Sequence, residues 1–186
     1  MAELALLSSS IHHVWTISRT STRGVGGAPN YSPSDAFETF PYPKLSSELR
    51  TVGEYLHGYR NDLMHSRQIG LTSTYNLMFD EDCSDPDIEG LRKVHRDIDK
   101  IVVRDYDWAD LIVEGLDHGF HKVGSHARYT IGPAVQQKVL DRLLELNQAR
   151  YAEEVANGLH NKRGGKAKGG KAKGGTQASL FEEIGG

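Results

Sequence analysis

Cysteine is all but missing from this chain. Cys83 stands alone, which excludes an internal disulfide and fits a reducing compartment. Long apolar runs are missing too, since no stretch approaches the ~20 residues of a membrane span. The opening MAELALLSSSIHHVW has no basic residue before its short apolar stretch and no small-residue cleavage site after it, so it does not read as a signal peptide. The expectation is a cytoplasmic protein without a membrane partner. Nucleotide-loop signatures are lacking as well: GVGG after Arg23 has neither dinucleotide-fold spacing nor a Walker lysine, and it follows no strand. Nine histidines include His118, His121 and His126 within nine residues. No second cysteine or His-Glu-x-x-His pattern joins them, so packing or surface roles are expected in place of zinc. His12 and His13 are adjacent helix positions that face different ways, which argues against a shared site. Ser8, Ser9 and Ser10 lack a nucleophile-elbow context. Asp97 and Asp99 project to different faces of a helix, which argues against paired carboxylates, and Arg92, Lys93, Arg96 and Lys100 with Glu89 and Asp97 are expected to form a solvated face of local ion pairs. No active site assembles from these residues.

What is present describes a soluble protein of 186 residues, 38% hydrophobic and 25% charged, with room for one domain or two small ones. The net charge of −3 is unevenly spread. The tail from Asn161 carries six Lys/Arg against Glu182 and Glu183, a net of +4, which leaves −7 on residues 1–160. So acidic a body is a poor duplex binder alone, because duplex affinity rests largely on neutralising phosphates.

Apolar periodicity predicts a mainly α fold with small β elements. Leu4, Leu7, Ile11, Val14, Trp15 and Ile17 share one side of a helix over residues 3–18. Leu45, Leu49, Val52, Leu56, Tyr59 and Leu63 form an amphipathic stripe on a second, and TSTYNLMF reads as a short helix opened by Thr72. A third long helix starts at Asp85 as N-cap with Pro86 in its first turn; its core face is Ile88, Leu91, Val94 or His95, Ile98, Ile101 and Val102. A short apolar piece follows YDW. FHKVGSHARYTIG predicts a β-hairpin near 120–131, with a Gly-Ser-His-Ala loop. A last helix over about 133–157 carries Val135, Val139, Leu140, Leu143, Leu144, Leu146, Tyr151 and Val155, and Gly158 is its natural C-cap. The Gly/Lys-rich stretch beyond it has almost nothing to bury and should be a disordered basic tail.

The stretch SPSDAFETFPYP, residues 32–43, fits none of these elements. Residues before proline are pushed out of the α region, so NYSPSDAFETFPYPK is expected to run extended, with Phe37, Phe40 and Tyr42 as core plugs.

Several blocks carry a family resemblance. ALLSSSIHHVW followed by NYSPSDAFETFPYP resembles the end of the target recognition domain in MmeI-like (type IIG) restriction–modification enzymes and related phage-defence methyltransferases, where a segment of the form Y(T/S)…CFETFPFP closes the domain. RQIGLTSTYNLMFDED resembles the family's GLT..YN..HD. DIEGLRKVHRDIDKIVVRDYDWADL resembles LR..H..MD.AV..AYGW.DL, and LDRLLELNQARYAEEVANGLH resembles a closing LLALN..R..EE. Together the blocks span roughly residues 4–160. Such enzymes transfer a methyl group from S-adenosylmethionine to adenine N6 in a DNA site. The catalytic Asn-Pro-Pro-Tyr/Phe motif that positions the flipped adenine and the Gly-rich cofactor loop are absent here. The resemblance therefore implies a non-catalytic module: residues 1–44 as the end of a recognition domain, 45–160 as the C-terminal helical domain, 161–175 as a linker and 176–186 as a terminal peptide. It implies no cofactor in this chain, and S-adenosylmethionine only in the parent enzyme. A gene fragment, a split subunit and a stand-alone protein all remain open.

By the same resemblance, SRTSTRGVGGAPN is the variable DNA-facing loop. Arg19 and Arg23 would donate to guanine edges or phosphates, while Ser18, Thr20, Ser21, Thr22 and Asn30 would make weaker polar contacts. Phe37, Phe40 and Tyr42 would brace that loop. The terminal TQASLFEEI resembles the short peptide with which bacterial DNA-maintenance proteins grip the sliding clamp. Gln177 would enter a small pocket and Leu180 and Phe181 an apolar cleft; an end that docks back on the body is the alternative. Two function readings follow: a recognition module of a DNA methyltransferase, or a stand-alone interaction protein recruited through its tail.

Overall fold

Ser9 interrupts the helix expected over residues 3–18. Its backbone is extended (φ −74°, ψ 156°) and its hydroxyl accepts the His12 N–H at 3.2 Å, so α1 (Ala2–Ser8) ends and α2 (Ser10–Arg19) begins there. This is an ordinary N-cap placed in mid-stripe. The break redirects the apolar face: Ala2, Ala5, Leu6, Ile11, Val14 and Trp15 are buried, whereas Leu4 and Leu7 are half-buried and Ile17 is exposed. The computed structural model describes residues 1–22, 29–30, 32–123 and 126–159. The linker and terminal peptide expected beyond Leu159 lie outside them.

The second stripe forms α3 (Ser47–Arg67), where Ser46 caps through the Leu49 N–H and Gln68 closes the helix in the left-handed region. Leu49, Leu56 and Leu63 are buried. Gly53 is buried with them because α1 passes there: a Cβ would lie 2.2 Å from the Met1 carbonyl oxygen. Next comes α4 (Leu71–Met78), which starts after Gly70 and not at Thr72. Then α5 runs from Pro86 to Asp105. Asp85 occupies its N-cap position, but its carboxylate accepts from Arg67 at the end of α3 and caps nothing. Ile88, Leu91, Val94, His95, Ile98, Ile101 and Val102 of α5 are all buried, so both alternatives for the fourth position turn inward.

α6 (Ala109–Glu114) is the short apolar piece after YDW. The hairpin pairs β3 (Gly119–Val123) with β4 (His126–Thr130), antiparallel. Val123 faces His126, so two residues connect the strands in place of the four expected. α7 (Pro133–Ala156) follows. Val135, Val139 and Leu143 are buried on it, but Tyr151 and Val155 are exposed, contrary to the expected stripe. A second, minimal sheet pairs Ser21–Thr22 with Pro29–Asn30, which we label β1 and β2; the pairs are Ser21 with Asn30 and Thr22 with Pro29.

The stretch after β2 is not extended throughout. Pro33–Phe37 make one π-helical turn, closed by the Glu38 N–H on the Pro33 carbonyl at 3.0 Å. Proline's bias acts on the residue before it, hence on Ser32, Phe40 and Tyr42, and leaves residues 33–37 free to coil. Only from Pro41 does the chain run without helical turns, up to α3.

The fold is thus mainly α with two small antiparallel sheets. The chain divides into two compact units, Met1–Tyr151 and Ala152–Gly186. The first holds the core, with Leu6, Ile11, Trp15, Leu49, Leu56, Ile88, Leu91, Ile98 and Leu111 in one cluster. In the second, described through Leu159, α7 ends as expected at Gly158. Gly158 has φ 72°, its N–H bonds the Val155 carbonyl, and the Leu159 N–H bonds that of Glu154. Among the described residues, no helix is long and apolar enough to cross a membrane.

Candidate functional site

Residues 39–42 are gripped by their carbonyls. Asn147 Nδ2 on α7 donates to the Thr39 oxygen at 2.7 Å, the Tyr106 hydroxyl to that of Pro41 at 2.8 Å, and Arg150 to that of Tyr42. Tyr106 is itself stacked on Trp108, with centroids 4.4 Å apart and planes 13° apart. Burial pushes the Tyr106 hydroxyl pKa up, which keeps its proton on as a donor. Phe40 is 3% exposed and sits edge-on to His12 at 4.9 Å, 6.2 Å from Trp15 and 5.3 Å from Tyr42. Tyr42 is half-buried. Phe37 is not a core plug: it is 42% exposed and meets the edge of Tyr42. The π-helical turn rotates it outward, whereas the chain leaving that turn points Phe40 inward.

This segment returns the chain from the expected DNA-facing loop. Arg19, at the loop's base, lies over the Trp15 indole at 4.3 Å, and its Nε is buried without a hydrogen-bond partner among the described residues. Thr20 ends α2, its hydroxyl donating to the Ile17 carbonyl at 3.3 Å. Ser21, Thr22 and Asn30 are placed by backbone only, in the β1–β2 pair that closes the loop's neck. Arg23 lies outside the described residues, as do Gln177, Leu180 and Phe181.

One residue of α5 overturns the solvated-face expectation. Arg92 is buried. Its guanidinium donates to the carbonyls of Leu77 (3.2 Å), Met78 (2.9 Å), Asp80 (2.7 Å) and Cys83 (2.8 Å), and pairs with Glu89. It thereby fixes the turn after α4, where the Leu77 and Asp80 carbonyls also accept the backbone N–H groups of Asp80 and Cys83. Asp99 is buried too. One oxygen accepts the Ser10 N–H at 2.7 Å, and the other accepts the Ser10 hydroxyl at 2.8 Å and lies 2.9 Å from His118 Nε2. Asp99 therefore caps α2 from a distance of 89 positions and ties the start of the hairpin to it. The serine and the histidine both bind the carboxylate, so this is not the relay of a nucleophilic triad, in which histidine stands between the two.

Beside Asp99 opens a cavity of about 400 Å³, between α1–α2, α4, α5 and the hairpin. His12 and His13 both line it, against the expectation that their directions separate them. Its polar wall includes His95, Asp99, His118 and Arg128; Leu7, Met78 and Phe79 give it an apolar side. Burial pushes the pKa values of His12 and His95 down to about 4. His13 is lowered by burial and by the Arg128 charge, against an opposing pull from Asp99. Its three helix-borne imidazoles are therefore neutral near pH 7. Composition could not reveal this site. The usable signal was spacing: His95 and Asp99 fall at i and i+4, on one side of a helix.

No protein-family model matches this chain, and neither a curated protein nor a solved structure matches it.

Proposed function

We propose that this chain is the recognition and C-terminal helical module of a site-specific DNA adenine-N6 methyltransferase or restriction–modification enzyme, acting with a catalytic domain that supplies S-adenosylmethionine binding and methyl transfer. One observation carries the reading. The separate blocks that resemble the family meet in space: Thr39 and Pro41 of FETFPYP accept from Asn147 of LNQAR and Tyr106 of RDYDW. Arg150 of the same closing block holds Tyr42. A recognition loop needs a rigid base to hold its side chains against a groove. The gripped segment, the buried Phe40 and the β1–β2 neck provide one.

A second feature agrees. The family pattern has Gly where Asp107 stands, between Tyr106 and Trp108, and Asp107 has φ 60°, a conformation that favours glycine. The acidic body is consistent with DNA affinity that draws on a catalytic partner's basic surface.

The test is selection from a randomised duplex library at several salt concentrations, with the whole chain and with a variant whose residues 19–30 are replaced by a Gly/Ser linker. Enrichment of one sequence, lost in the variant, supports the module. Unselective binding that survives the replacement and vanishes with residues 161–186 would instead favour the interaction protein recruited through its tail.

A further inference from the structure

Three polar groups at the cavity have no counterpart within it. Thr16 Oγ1 is buried with no hydrogen-bond partner among the described residues. The His13 imidazole, one turn earlier on α2, forms no hydrogen bond among the described residues. Arg128, from β4, lies with its guanidinium over the Phe79 ring at 4.4 Å and has no carboxylate partner among those residues. Asp99 is bonded to Ser10 and His118 instead. A guanidinium, a neutral imidazole and a hydroxyl thus belong to residues that line one cavity.

We infer that this cavity binds a single nucleotide, with its phosphate on Arg128, His13 and Thr16 and its base on the apolar side formed by Leu7, Tyr75 and Met78. Guanidinium forks match the geometry of phosphate oxygens, and charge-assisted hydrogen bonds are the strong ones. Donors from two elements suit the three oxygens of a phosphate better than the two of a carboxylate. The volume of about 400 Å³ exceeds what a lone anion fills and lies within the ~300–1,000 Å³ of small-molecule sites. An apolar wall next to the cation calls for a ligand with a planar, weakly polar body and a charged end.

Two sources offer that chemistry: a free nucleotide, and a nucleotide extruded from a DNA strand, for which unstacking costs least at a mismatch. The inference stands on the cavity and not on the methyltransferase reading, so a failure of duplex selection leaves it intact.

The experiment is a titration of the whole chain with dAMP, dTMP, deoxyadenosine and inorganic phosphate, followed by calorimetry and by the His13 imidazole resonances. The monophosphates are expected to bind and to shift His13, and the nucleoside and the free phosphate to bind about tenfold more weakly or worse. Arg128→Met keeps a long apolar stem over Phe79 and should lose about tenfold in affinity. Thr16→Val should weaken binding while raising the thermal midpoint of the ligand-free chain, because it replaces a buried, unpartnered hydroxyl with a methyl group. That pairing separates a ligand-directed hydroxyl from a structural one. Absence of binding, phosphate binding as tightly as the monophosphates, or variants that bind like the parent would each overturn the inference. Competition by a mismatched duplex identifies the extruded nucleotide as the source, and its absence the free one; either agrees with the site.

Discussion

Asn147 donates its side-chain amide to the carbonyl of Thr39 at 2.7 Å, across 108 positions of sequence. The contact joins the middle of the last long helix to the segment that follows the loop. With Tyr106 and Arg150 it makes a three-point grip on a stretch that has no sheet partner for its backbone. Carbonyls in such a stretch must find donors elsewhere or stay wet, and these three side chains are the donors.

Removing one of those donors should therefore loosen the loop's base. Tyr106→Phe leaves the buried Pro41 carbonyl without its partner, which costs about 1–3 kcal/mol. Denaturant midpoints measure the loss, and amide exchange over residues 38–46 should rise. An unmoved midpoint with unchanged exchange would mean that the hydroxyl is replaceable by water.

The three aromatics of the same stretch should separate sharply. Phe40→Ala removes a core ring and is expected to cost about 3–5 kcal/mol. Phe37→Ala, at a 42% exposed position, should stay within about 0.5 kcal/mol. Equal losses at both positions would contradict the outward turn of Phe37.

Acid should destabilise the chain earlier than its carboxylates alone require. His12 and His95 sit at about 4 in the folded chain against an ordinary 6.5, chiefly through burial. Between those values the unfolded chain binds protons that the folded chain refuses, so stability falls as pH drops from about 6.5 toward 4 and is insensitive to these groups above that window. Each contributes a slope of up to about 1.4 kcal/mol per pH unit, and His13 acts in the same direction. Unfolding midpoints across the window, for the parent and for His95→Phe, test this: the variant's slope should be shallower.

Arg92→Met should be among the most damaging single changes. It strips a donor from the carbonyls of Leu77, Met78, Asp80 and Cys83, at a cost of roughly 3 kcal/mol or more. Amide exchange should rise first between α4 and α5. Protection unchanged there would show that other donors take over.

Element type and order were legible because they follow from local rules. Pro86 opens α5, Gly158 closes α7, and the two short strand-like runs around Gly124 mark a hairpin without reference to anything distant. The errors were of another kind. Ser9 looked like one more serine in a continuous stripe, yet its hydroxyl chose the His12 N–H and split the helix. Arg92 looked like a surface charge because charged side chains are almost always exposed. It is buried because the end of α4 and the turn after it supply four carbonyls to it, besides Glu89 on its own helix, and Asp99 is buried because Ser10 and His118 reach it.

The sequence by itself determined the helices, the hairpin, the rigid exit through Pro41 and Pro43, and the uneven charge, since each depends on neighbours within a few residues. Tertiary structure alone decided which of Phe37, Phe40 and Tyr42 enters the core, and that His12, His13 and His95 face one cavity. It also decided that Asp99 caps a helix 89 positions away. The physical reason is the same in each case: burying a polar or aromatic group is settled by the partners it meets, and those partners come together only when the chain has folded.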